Sequence, residues 1–100
     1  MSEDIVTKLE NACMGFVTGL RDDNKFDEDK YLVLCETLKE CKKEWATSSH
    51  IPRLAVYILV DIHPVVLGYS QWYDEEISKR IKEAADNLYT LISDSVNCNI

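Results

Sequence analysis

The residues that could do chemistry here are four cysteines, two histidines and a surplus of carboxylates: Cys13, Cys35, Cys41 and Cys98, His50 and His63, and 18 Asp and Glu against 11 Lys and Arg. A structural zinc site needs four such ligands converging, and Cys35, Cys41, His50 and His63 are the candidates. Their spacing argues against it. Cys35 and Cys41 are six positions apart, which on a helix turns them roughly 120° from each other, and the chain has neither a Cys-x-x-Cys nor a His-x-x-x-His pair. A cysteine–histidine nucleophilic pair can meet only in the fold, but no local signature of one stands in the sequence. The carboxylate pairs Asp22-Asp23 and Glu75-Glu76 lie in a loop and at a helix start, where solvation and capping explain them without acid-base chemistry. Gly15, Gly19 and Gly68 are the only glycines, so no glycine-rich phosphate loop exists. The expectation is a non-enzyme with no catalytic residue, no metal and no cofactor.

Four other residues raise a binding question. Asp61 interrupts a run that is otherwise apolar on every side, and a carboxylate there needs water or a partner. It is either a rim residue reaching water or a base such as Lys79 or Arg80, or a polar recognition point beside Pro64. Tyr69, Trp72 and Tyr73 lie outside the clean apolar stripe of the last helix, so they are either packed lids or anchors for a partner. Trp45, at the end of its helix, reads as a lid.

The elements that position these residues follow from apolar spacing. Ile5, Val6, Leu9, Ala12, Cys13, Phe16, Val17 and Leu20 mark a first helix near 3–20, with Ser2 as N-cap and Glu3 and Asp4 in the first turn. Asp22, Asp23 and Asn24 form a turn. Asp27 then caps a second helix, 28–45, with Phe26 and Tyr31 at the two positions of a hydrophobic staple. Its inner face reads Tyr31, Leu34, Cys35, Leu38, Cys41 and Trp45.

After the polar cluster Thr47-Ser48-Ser49, Pro52 suits the first turn of a third helix near 51–67, kinked at Pro64, with Gly68 as a terminator. Residues 54–62 are apolar nearly all round, so this should be the most buried helix, although a strand could also use its β-branched content. A fourth helix spans 73–94, opened by Asp74-Glu75-Glu76 and lined by Ile77, Ile81, Ala84, Ala85, Leu88, Leu91 and Ile92. The polar tail from Ser93 to Ile100 is expected to fray. One hundred residues make one domain, 1–100, and four such stripes make an all-α antiparallel four-helix bundle.

A net charge of -7 disfavours nucleic acid and anionic lipid as partners. The longest apolar region, Leu54 to Leu67, is broken by Asp61, His63 and Pro64, so direct membrane insertion is not expected. The acidic start Met-Ser-Glu-Asp lacks a basic secretory n-region, which points to the cytoplasm and hence to free thiols rather than disulfides. What remains is a protein that binds another protein, or a second copy of itself.

The segment Ser49-His50-Ile51-Pro52-Arg53-Leu54, running to Ile62-His63-Pro64, together with length and element order, resembles the enterocin A immunity family of bacteriocin immunity proteins. Ser49, Ile51, Pro52, Arg53 and Leu54 match a pattern that opens the third helix in that family. The resemblance implies a cytosolic four-helix bundle that blocks a complex of bacteriocin and membrane permease, with recognition in the C-terminal half, here Tyr69, Trp72 and Tyr73. The chain departs from many members in its acidity, its four cysteines and its short tail. The other reading is a small helical adaptor or self-associating module of viral or eukaryotic origin.

Overall fold

The computed structural model describes residues 4–22, 24–48 and 50–96. Four helices form: α1 Ile5–Asp22, α2 Glu28–Trp45, α3 Arg53–Tyr69 and α4 Glu75–Val96, with a 3₁₀ turn Ser70–Trp72 before α4. No strand occurs among the described residues. The expected N-cap Ser2, with Glu3, and the thiol of Cys98 lie outside them; within them the α1 ladder starts where Lys8 N–H donates to the Asp4 carbonyl at 2.9 Å.

The starts of α2 and α4 are set by side chains, while α3 opens after Pro52 with no side-chain cap. Asp27 takes an extended backbone and its carboxylate accepts the Lys30 N–H at 3.1 Å, the N-cap bond that satisfies an otherwise orphaned amide. Phe26 and Tyr31 close the staple with ring centroids 5.6 Å apart. Asp74 does the same capping for α4, accepting from Ile77 N–H at 3.0 Å. Between α1 and α2, Asn24 takes φ 49, a left-handed conformation that Asn tolerates better than most residues. The loop then folds back so that Lys25 N–H reaches the Gly19 carbonyl at 3.1 Å.

Side-chain pairing fixes the topology. Phe16 meets Tyr31 while the earlier Lys8 meets the later Glu40, so α1 and α2 are antiparallel. Glu28 meets Arg80 and, further along both helices, Cys35 meets Asn87, so α2 and α4 run parallel. Cys13 lies in electrostatic reach of Asp61, and Arg21 of Tyr69, which makes α1 and α3 parallel too. Consecutive helices alternate in direction, but the order around the bundle is α1, α2, α4, α3. Among the described residues the diagonal pairs α1/α4 and α2/α3 make no close backbone contact.

The core is built from Leu9, Phe16 and Leu20 of α1, Leu34, Leu38 and Cys41 of α2, Ile62 and Val66 of α3, and Ile81 and Leu88 of α4, all fully buried. Trp45 is a buried lid. At one end an aromatic knot joins three elements: Phe16 packs on Phe26 and Tyr31 at 5.4 and 5.6 Å. Arg80 of α4 lies over the Phe26 and Tyr31 rings at 4.8 and 5.0 Å while its Nε and Nη2 each donate to a Glu28 carboxylate oxygen at 2.8 Å. That guanidinium holds the Glu28 carboxyl below the usual carboxylate range. Nearby, Asn87 donates to the Tyr31 hydroxyl at 2.7 Å.

Three expectations are corrected. α3 is not the most buried helix: it buries Ala55, Ile58, Leu59, Ile62 and Val66, five residues to the seven of α2. Each helix has only two neighbours, so a helix that is apolar all round keeps an apolar side in water. α3 also does not stop at Gly68: it runs through Pro64, as the expected range 51–67 requires, and on to Tyr69; proline removes a single amide donor, and Val60, whose carbonyl it leaves free, is an exposed residue. Finally, Ser93 to Val96 continue α4 instead of fraying, with Ser95 buried and its hydroxyl donating to the Ile92 carbonyl at 2.8 Å.

Truncating Phe16 to alanine should cost about 3–5 kcal/mol, read as a shift in the urea midpoint, because it empties both the core and the aromatic knot. For Glu28, a carboxyl held low contributes stability above its unfolded pKa and loses it as pH falls. The stability gap between wild type and Glu28→Gln should therefore be present at neutral pH and close below about pH 4.

Candidate docking site

Helical periodicity splits the residues of α3 between a buried side and an outer side. Ala55, Ile58, Leu59, Ile62 and Val66 face the core, which turns Leu54, Val56, Tyr57, Val60 and Leu67 outward. All five are exposed, Tyr57 by 68% and Val60 by 66%. Outward apolar residues from the flanking helices extend the surface: Met14 of α1 and Tyr89 of α4 are exposed beside it. Contiguous apolar exposure of this kind is uncommon on a monomer and marks places where proteins bind.

α3 stands as a ridge between two grooves. The groove toward α1, about 310 Å³, is lined by Cys13, Met14 and Val17 on one wall and Leu54, Tyr57 and Asp61 on the other, with Glu10 and Arg21 at its edge. The groove toward α4, about 530 Å³, is lined by Val56, Val60, His63 and Pro64 against Tyr89 and Ile92. In it the His63 and Tyr89 rings meet edge-on at 5.4 Å.

Asp61 lies exposed in the α1-side groove, away from the bases proposed for it. Arg80 is taken by Glu28 across the bundle, and Lys79 does not line this groove. Among the described residues Asp61 has no ion-pair or hydrogen-bond partner. Its nearest electrostatic effect is on Cys13, whose thiol is pushed up to about 11, first by burial and then by that negative charge.

The three aromatic residues proposed as one patch separate. Tyr73 is half-buried, and its hydroxyl donates to the Leu20 carbonyl at 2.6 Å, a clamp between the approach to α4 and the end of α1. Tyr69 is half-buried against the core. Of the three, Trp72 alone is exposed, by 75%, at the end of the α3 ridge. Tyr69 and Tyr73 thus hold the bundle end that presents Trp72.

Leu54, Tyr57, Val60 and Met14 are the exposed apolar residues of this candidate site that sequence reasoning missed. Their signal was present, since an all-round apolar helix in a four-helix bundle has more apolar surface than its two neighbours can cover. Met14 and Tyr89 were legible as well, being apolar residues off the stripes of α1 and α4.

Cys13, Cys35 and Cys41 are free thiols, each with its pKa raised by burial, Cys41 to about 11 as well. Among the described residues no group of three or more His, Cys, Asp or Glu is close enough to hold a metal. By length and composition alone the segment 53–72 is apolar enough to cross a membrane; in this fold its inner side is part of the bundle core. No family model matches the sequence, and no curated protein or solved structure matches it at a significant level.

Thiols held this high are protonated near neutrality and slow to react. In a Cys98→Ser background, iodoacetamide labelling at about pH 8 should proceed at least tenfold more slowly than with free cysteine, and urea should restore the ordinary rate.

Proposed function

We propose that this chain is a non-enzymatic protein-binding bundle that docks its partner on the outer face of α3. The supporting observation is the solvent-facing row Leu54, Tyr57 and Val60, with Trp72 at its end, a longer exposed apolar run than the Leu32-Val33 pair on the outer side of α2. Leaving such side chains in water forgoes roughly 25 cal/mol per Å² of burial, and a bound partner recovers it. The α3 face also brings together apolar side chains, a polar residue and two concave flanks.

The more specific form of this reading is the bacteriocin immunity role, in which the chain acts in the cytoplasm on a bacteriocin–permease complex. It rests on the resemblance carried by residues 49–54, of which Ser49 lies outside the described residues and Arg53 and Leu54 open α3. An adaptor role would use the same face with a different partner.

A photo-crosslinking amino acid placed at Tyr57 or Val60 should give a discrete crosslinked species in the native host, and one placed at Glu36 on the outer side of α2 should not. Equal yields from both positions would remove the α3 assignment. For the immunity form, expression in a bacteriocin-sensitive strain should raise resistance, and Tyr57→Glu should abolish the gain with little change in stability; unchanged sensitivity on wild-type expression would discard that form alone.

A further inference from the structure

The two grooves beside α3 differ in charge. The α1-side groove combines apolar walls with two carboxylates, Glu10 and Asp61. The only base on its lining is Arg21, whose guanidinium is already committed to Asp22 at 3.0 and 3.2 Å. Neither Glu10 nor Asp61 has a basic partner among the described residues. The trough is therefore apolar with a net negative lining, on a chain of net charge -7.

Its geometry limits what can enter. Lined by α1 from Glu10 to Arg21 and by α3 from Leu54 to Val65, it runs along two parallel helices for roughly 17 Å, or about three helical turns. Two helices offer no free sheet edge, so an extended peptide would find no backbone partners there, whereas a helix satisfies its own. We infer that the α1/α3 groove receives a short amphipathic helix of a partner protein, about three turns long, whose apolar side packs on Met14, Val17, Leu54 and Tyr57 and whose Lys or Arg pairs with Asp61 and Glu10. This rests on the α3 docking reading and names the chemistry of its occupant.

Two other occupants fit less well. A second copy packing α3 on α3 about a two-fold axis brings the two Asp61 carboxylates together, because Asp61 stands at the midpoint of Arg53–Tyr69, and it adds a second acidic chain. An anionic lipid surface meets the same two carboxylates and is repelled.

The test uses the full chain and two synthetic Leu/Ala amphipathic helices, identical except that one carries lysines and the other glutamates on its polar side. Affinity is read by fluorescence anisotropy, and the site by amide chemical shifts. The lysine peptide should bind wild type at least about fivefold more tightly than the glutamate peptide and shift resonances of Met14, Val17, Leu54 and Tyr57. The Glu10→Lys/Asp61→Lys variant, checked for folding by circular dichroism, should reverse that preference. If both peptides shift α3 resonances with equal affinity in both proteins, the charge assignment is wrong and the α3 docking reading stands. If neither peptide shifts any α3 resonance, both fall. Binding to phosphatidylglycerol vesicles that exceeds binding to the lysine peptide, or a wild-type dimer by light scattering that Asp61→Lys leaves intact, would overturn the proposed occupant.

Discussion

A helix in a four-membered bundle has two neighbours, and those two cover only part of its circumference. α1, α2 and α4 are largely written for that limit, each with one apolar stripe and an outer side that is mostly polar apart from the exposed residues Met14, Leu32, Val33 and Tyr89. α3 is not: its apolar residues continue round the helix, and the bundle has nothing left to cover them. The excess surface follows from this one mismatch between the composition of α3 and the geometry of its packing.

The remaining interactions decide which side of α3 faces out. Arg80 draws Phe26, Tyr31 and Glu28 onto α4, fixing α2 beside α4 rather than beside α3. Tyr73, bonded to the Leu20 carbonyl, fixes the end of α3 to the end of α1. With those ties in place α3 nests in the angle between α1 and α4, burying Ala55, Ile58, Leu59, Ile62 and Val66 and turning Tyr57 and Val60 to water. The same arrangement creates the two grooves, since each lies along a seam that α3 shares with a neighbour.

Much of this was legible in the residues. The stripes of α1, α2 and α4, the Asp27 cap with its Phe26 and Tyr31 staple, and the lid role of Trp45 depend on local spacing and local bonds, which sequence carries directly. The exposure of α3 depends on how many helices surround it, which no local pattern states, and so its all-round apolar character was read as burial. Asp61 stands out in the sequence because its neighbours are apolar, but it lies exposed, and its surroundings depend on which helix lies beside α3: the order α1, α2, α4, α3 puts α1 there. Tyr69, Trp72 and Tyr73 fall within five consecutive positions yet meet different surroundings, because after the 3₁₀ turn Ser70–Trp72 the Trp72 side chain is exposed while Tyr73 returns to Leu20.

The central claim is that the outer side of α3 is apolar and in water in the free protein. Hydroxyl-radical footprinting with mass spectrometry tests it at single residues. Tyr57, Leu54 and Trp72 should be oxidised readily in the folded chain while Phe16, Leu59 and Ile62 stay protected. Protection of Tyr57 and Leu54 to the level of Phe16 would contradict the account.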